Sequence, residues 1–323
     1  MNAVPLRDLA VRWSVSEHCQ LRCQYCLPAH GGWTMDRREY LSAQEIGWLL
    51  GALHRAFGVR KLRFTGGEPL LRQDLPELVE RAAGLGIPDI ALTTNGQLLA
   101  ARAMELRRAG LRRVNISLDS LRPQVFAEIT RHGRLERTLA GIEAALAAGL
   151  HPIKLNMVAM RGINDAEVRD LLEYGLSTGC QVRFLELMPI GVAQAGFAHR
   201  FVSSDELRWR LMGTGEWAPL NGEEASSSRD WSVRDASGRQ TICGFISPYS
   251  HPFCNGCRRV RISADGRLTG CLARGHALPL RPALAAASQG DLGPLASLLE
   301  EAFAMKRGVM FRAGARSMAA VGG

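Results

Sequence analysis

Short apolar, β-branched runs recur at residues 11–16, 61–65, 89–93, 114–118, 153–158 and 182–187, each the length of a strand. Between them lie stretches of helical periodicity, at 43–57, 75–85, 98–109, 135–148 and 165–178. Ser42, Asp74 and Asn164 stand where caps open three of these helices, and Gly58, Gly86, Gly110, Gly149 and Gly179 stand where glycine ends one. Strands alternating with helices of about 10 to 15 residues predict parallel βα units. Six units fall short of the eight of a closed barrel, so the pattern predicts an α/β fold built as a partial, TIM-like (β/α)6 barrel. Its site residues belong just after the strands, at their C-terminal ends.

Beyond Met188-Pro189 the alternation weakens. Residues 221–239 are polar and rich in Gly and Ser, which reads as a loop or an exposed hairpin. A last helix is expected at 292–305, ahead of a tail that ends in Gly322-Gly323. The chain therefore divides into a barrel core, 1–215, and a C-terminal region, 216–323, and no solenoid period is superimposed on it.

With 323 residues the chain can bury a full core, and no segment approaches the roughly 20 apolar residues of a spanning helix. A soluble, cytoplasmic protein is expected. The net charge of +9 suits nucleic acid, an acidic surface or a polyphosphate substrate. Its arginines are scattered, many on helix faces such as Arg107, Arg108, Arg112 and Arg113, which argues against a nucleic-acid patch. Of 40 basic residues only Lys61, Lys154 and Lys306 are lysine, and a lysine kept in that background answers a local need for a point charge.

Six of the eight cysteines fall in two tight groups, as metal ligands do and a disulfide framework does not, which points to a reducing compartment. Cys180 and Cys243 stand apart and are expected to be buried or incidental. Cys19, Cys23 and Cys26 form a Cys-x-x-x-Cys-x-x-Cys run. A structural zinc site is closed and four-coordinate, and only the awkwardly placed His18 offers a fourth ligand nearby. A four-iron cluster takes one thiolate per iron, so three cysteines leave one iron open to something other than protein.

The second group is Cys254, Cys257 and, after thirteen intervening residues, Cys271. Alternation and the Asp265-Gly266 turn predict a hairpin that gathers the three thiols. A zinc ribbon completed by Cys243, His251 or His276 is the plainer reading. Against it, Arg259 and Arg261 alternate with Val260 and Ile262, so both project from one face of the strand beside the metal. Guanidinium groups suit bidentate capture of phosphate.

The first run, with aromatic Tyr25 before its last Cys, resembles the signature of the radical S-adenosylmethionine (SAM) superfamily, in which SAM chelates the open iron. Within it the chain resembles the GTP 3',8-cyclase family of molybdenum cofactor biosynthesis. The matching stretches are 63–69 (Arg-Phe-Thr-Gly-Gly-Glu-Pro), 93–96, 114–120, 153–156, 183–189, the 254–271 hairpin and the terminal Gly-Gly. The resemblance implies a lyase with two 4Fe-4S clusters, held by Cys19, Cys23 and Cys26 and by Cys254, Cys257 and Cys271. It implies SAM contacts at Tyr25, Gly67, Ser117 and Met188, and Glu68 is suited to accept from the SAM amine. Gly66 and Gly67 leave room for close backbone approach to a ligand.

Arg12, Arg63, Thr94, Lys154, Arg259 and Arg261 match positions that hold GTP, and Arg183 is a further basic candidate. By the same resemblance Arg259, Arg261, Gly322 and Gly323 serve catalysis, the tail glycines by entering the site. A 5'-deoxyadenosyl radical would take hydrogen from the ribose C3' of GTP, whose radical attacks C8 of guanine, and the second cluster would anchor the base. A reductant such as flavodoxin or ferredoxin is implied, with the product passed to cyclic pyranopterin monophosphate synthase; a homodimer is compatible, and neither membrane nor nucleic acid is a partner.

Gln20 stands where the family shows Asn, and Ser16-Glu17 where it shows Thr-Asp. Two other readings compete: a radical SAM peptide-modifying enzyme with an auxiliary iron-sulfur cluster, and a non-catalytic zinc or electron-transfer protein. The first usually carries more C-terminal cysteines than three, and the phosphate-facing arginines disfavour both.

Overall fold

A computed structural model describes residues 7–31, 35–222, 226–254, 257–272 and 276–306. Six parallel strands form as the alternation predicts: β1 (Leu9–Ser14), β2 (Val59–Thr65), β3 (Asp89–Thr94), β4 (Arg113–Ser117), β5 (Ile153–Ala159) and β6 (Gln181–Glu186). They are linked by α1 (Ala43–Phe57), α2 (Leu75–Gly84), α3 (Leu99–Arg108), α4 (Pro123–Thr130), α5 (Leu135–Ala147) and α6 (Val168–Thr178). Then come α7 (Phe197–Arg200), α8 (Ser204–Leu211), β7 (Glu216–Pro219), β8 (Arg229–Arg234) and β9 (Gln240–Ile246). The hairpin strands β10 (Arg259–Ile262) and β11 (Arg267–Thr269), the short β12 (Leu278–Pro279), α9 (Arg281–Ser288) and α10 (Gly293–Ala304) complete the order.

The sheet runs β12-β11-β10-β1-β2-β3-β4-β5-β6-β9-β8-β7. β10 adds to β1 in parallel and β9 adds to β6 in parallel, so the open barrel is extended at both edges by strands from the C-terminal region. The second cysteine group is thereby brought beside the first strand.

Period two decides the faces. On β1, Leu9, Val11 and Trp13 are fully buried under the helices, and Arg12 lies on the opposite, interior face. On β5, Ile153, Leu155, Met157 and Ala159 are buried, and Lys154, Asn156 and Val158 take the interior. The parallel register sets Arg12 beside Arg63 of β2 on one side and Arg261 of β10 on the other.

Ser42 caps α1 in a full capping box with Glu45. Asp74 and Asn164 do not act as caps. The Asp74 carboxylate is taken by the Arg72 guanidinium at 2.7 Å. The Asn164 amide accepts from Met160 N at 2.8 Å and donates to the Asp119 carbonyl at 2.7 Å. Gly179 ends α6 at φ +71°, where a side chain would be strained.

From residue 229 the polar stretch forms one arm and the turn of a hairpin: β8 pairs antiparallel with β9 around a turn closed by Asp235 N to Arg239 O, and Trp231 meets Phe245 edge-on at 5.4 Å. Cys180 and Cys243 are buried in the main core. Among the described residues no helix is long and apolar enough to cross a membrane.

Candidate active site

The Cys19 to Cys26 loop follows β1 and is held from two sides. Arg22 N and Gln24 N donate to the carbonyls of Thr130 and Ile129 at the end of α4, and Cys26 N and Leu27 N donate to the Cys23 carbonyl at 2.8 and 3.1 Å. Ahead of the loop, Gly67 N donates to Ser16 O at 2.6 Å and Glu68 N to His18 O at 2.7 Å. The glycine pair after β2 thus gives its space to the chain's own backbone. A Cβ on Gly67 would lie 2.4 Å from the carbonyl oxygens of both Glu17 and His18.

Cys19, Cys23 and Cys26 open on a cavity of about 210 Å³, together with Tyr25, Gly67, Thr94, Ser117 and Met188. Arg12, Arg63 and Arg183 line it too. Burial, then the Glu68 carboxylate, pushes the Cys19 thiol up to about 12, and burial pushes Cys23 up as well. A bound metal reverses that preference, because its ligand is the thiolate.

Glu68, buried outside the cavity lining, accepts from Thr94 Oγ1 at 2.7 Å, Asn95 N at 2.9 Å and Leu70 N at 3.0 Å. Burial outweighs these bonds and raises its carboxyl to about 7. Two carboxylate oxygens have about four lone-pair sites, so one acceptance remains.

Cys254, Cys257 and Cys271 line a second cavity of about 180 Å³ with Arg259 and Arg261, and the predicted hairpin is β10 and β11. The Arg259 guanidinium lies 5.8 Å from the centre of the Phe253 ring. The two cavities share Arg12, Leu185, Glu186, Met188 and Ile246, so the thiol groups face one interior from its two ends. The tail glycines Gly322 and Gly323 lie outside the described residues.

Between the thiol groups the interior is cationic. Burial first, then Arg259, Arg261, Arg63 and Arg183, holds the Arg12 guanidinium well below its usual range. Burial and like charge bring Arg183 to about 10 and Arg261 to about 9. Lys154, one layer deeper on β5, falls to about 7 through burial and then Arg183 and Arg113, with Asp230 pulling the other way. Among the described residues no carboxylate forms an ion pair with Arg12, Arg63, Lys154 or Arg183. Arg63 Nε and Asn156 Oδ1 are buried with no hydrogen-bond partner. So many desolvated cations and orphaned polar atoms facing one space ask for a polyanion.

Several site residues escaped the sequence reading. Asn95 brings its Nδ2 to 3.6 Å from the Cys19 sulfur. Tyr25 donates its hydroxyl to Asp119 Oδ2 at 2.7 Å, and Asp119 Oδ1 accepts from Val158 N at 2.8 Å. Burial raises the Asp119 carboxyl to about 6. Buried Glu186 accepts from the backbone N–H groups of Ser204, Tyr249 and Ser250, which fixes the segment leading to Cys254. Asn95 and Asp119 lay inside stretches already singled out, and Lys306, which lines the second cavity, was one of three lysines.

An open parallel barrel with a three-thiol loop after its first strand defines the radical SAM scaffold, and the family model described as the Radical SAM superfamily matches residues 13–175. A second, described as Molybdenum Cofactor Synthesis C, matches 180–310. The GTP 3',8-cyclase of Saccharophagus degradans is 42% identical over 298 residues, 92% of this chain and 88% of that one. The GTP 3',8-cyclase of Pelotomaculum thermopropionicum is 42% identical over 299 residues, covering 92% and 90%. The chain belongs to the GTP 3',8-cyclase family. Its fold is shared with Streptococcus suis SuiB, solved bound to S-adenosylmethionine, at TM-score 0.63 and 16% identity over 90% of this chain and 68% of that one.

Proposed function

We propose that the chain is a GTP 3',8-cyclase, converting GTP to 3',8-cyclo-7,8-dihydroguanosine 5'-triphosphate in the first step of molybdenum cofactor biosynthesis. The observation that carries this is the pair of three-thiol cavities meeting at one cation-lined interior. Cys19, Cys23 and Cys26 would hold one 4Fe-4S cluster and Cys254, Cys257 and Cys271 a second. Zinc needs ligands closed on one ion. Each cysteine group here offers three thiols, one short of a closed zinc site. A four-iron cluster needs one thiolate per iron, and three leave one iron for SAM or substrate.

When bound and reduced, the first cluster with SAM supplies a 5'-deoxyadenosyl radical that takes hydrogen from the substrate ribose. The protein's own work is placement. Tyr25, held by Asp119, and Ser117 and Met188 line the cavity at the Cys19 to Cys26 loop and would contact SAM there. Arg12, Arg63 and Arg183 offer charge-assisted donors to a triphosphate, and Arg259 and Arg261 do so beside the second thiol group. An electron donor of the flavodoxin or ferredoxin type belongs to the same reading.

The deciding experiment incubates anaerobically reconstituted, reduced protein with SAM and GTP. Expected are 5'-deoxyadenosine and the cyclised nucleotide, with about eight irons per chain. Four irons and one zinc sink the two-cluster assignment. Deoxyadenosine formed only with a peptide favours a peptide-modifying enzyme.

Lys154 makes the phosphate assignment testable by pH. With its folded value at about 7 against an ordinary 10.5, the unfolded chain binds a proton that the folded chain refuses between those values. Stability from this group therefore rises with pH across that window, and below about 7 the full penalty applies. A triphosphate against the ammonium reverses the preference, so GTP binding at about pH 8 takes up close to one proton. Calorimetry in two buffers of different ionisation heat reads that number directly. Absence of uptake, or uptake that survives in Lys154→Met, removes Lys154 from the phosphate site.

A further inference from the structure

Lys306 follows α10 and reaches back to the second thiol group. Its Nζ donates to the Cys257 carbonyl at 3.0 Å, to the Arg259 carbonyl, and toward the Cys257 sulfur at 3.8 Å. An ammonium has three N–H donors, and these three acceptors occupy them all. The Phe303 ring lies beneath, its centre 4.1 Å from Nζ. Among the described residues no carboxylate pairs with this cation, so its charge is directed at the cluster loop.

The same helix end also packs against the other ligand strand. A Cβ built on Gly270, the residue before Cys271, would lie 1.8 Å from the Ala302 carbonyl oxygen. Leu295, Leu299 and Ala302 are fully buried and anchor α10 in the core. The end of α10 and the residue just beyond it thus touch the cradle at Cys257 and at Gly270, the neighbour of Cys271.

We propose that Lys306 is a positioning residue for the second metal group: its ammonium ties the Cys257 and Arg259 carbonyls together and donates toward the Cys257 thiolate. It holds the loop in the shape that receives the cluster and raises the cluster's reduction potential. This rests on the two-cluster reading above. Hydrogen bonds to cluster sulfurs set potential, and a positive charge beside a thiolate favours the reduced, more negative cluster. The compact ammonium explains why this position is lysine in a chain that otherwise favours arginine: three acceptors converge on one point, which a planar guanidinium fork does not match.

The test uses the full chain with Cys19, Cys23 and Cys26 changed to Ala, so that the second cluster is read alone. That parent should hold about four irons and give the spectrum of a four-iron cluster. Lys306→Met in that parent should shift the cluster midpoint to a more negative potential in a redox titration followed by electron paramagnetic resonance. Iron loss to a chelator should quicken by on the order of 10-fold. Where Lys306→Met does not fold, Lys306→Gln, which keeps a donor without the charge, carries the same test and should shift the potential in the same direction. A parent that takes up no iron overturns the two-cluster reading and this inference with it. A parent that holds iron while the Lys306 variant keeps both its potential and its iron overturns this inference alone.

Discussion

Gly67→Ala should abolish 5'-deoxyadenosine formation and bring the iron content from about eight to about four per chain, with the second cluster retained. The added methyl would sit 2.4 Å from two carbonyl oxygens, Glu17 and His18, and 2.6 Å from the His18 carbonyl carbon. All three are backbone atoms and cannot rotate away. The 16–18 segment must therefore move, and with it the bonds Gly67 N to Ser16 O and Glu68 N to His18 O that set the start of the Cys19 loop.

Overpacking of this kind costs about 1 to 3 kcal/mol, which a sheet of twelve strands absorbs, whereas displacing a ligand is not absorbed. Iron analysis, visible absorption and a melting curve on one preparation separate the two effects. A Gly67→Ala protein that keeps all its iron and cleaves SAM at the parent rate shows that the contact with residues 16–18 does not position the loop.

That glycine also marks where sequence reading stops. Its motif placed it correctly after a strand, but which atoms fill the space beside a glycine depends on a segment fifty residues away. The βα alternation was legible because period two and period 3.6 are local signals. The parallel pairing of β10 with β1 was not, since the partners stand some 250 residues apart and only the tertiary fold chooses their register.

Polar side chains divide the same way. The cysteine spacings and the Arg259, Arg261 alternation carry their geometry in the sequence. Asn164 has the composition of a cap, yet the Asp119 carbonyl claims it; Asp119 in turn holds Tyr25, and nothing local announces that chain of bonds.

The interior cations lead to a prediction with two sides. Arg12 sits in register between Arg63 and Arg261, lines both cavities, and is held well below its usual range by burial and then by four arginines. Without a polyanion this is a cost to the folded state. Even a buried ion pair is commonly replaced by apolar side chains of similar volume at no cost or with a gain of about 1 to 4 kcal/mol, and a cation with no carboxylate partner has no pairing energy to lose. Arg12→Met should therefore melt higher than the parent in the absence of nucleotide.

With GTP the order reverses. Charge-assisted hydrogen bonds contribute about 1.5 to 3 kcal/mol each, so losing Arg12 should raise the KM for GTP by about 10-fold to 100-fold. Nucleotide-free iron content should be unchanged, because Arg12 touches no thiol-bearing loop by hydrogen bond or ion pair among the described residues. Thermal melts with and without GTP, set beside steady-state kinetics, read both arms. A variant that melts lower without nucleotide and binds GTP as the parent does would make Arg12 a structural residue and move the phosphate site away from the register of β10, β1 and β2.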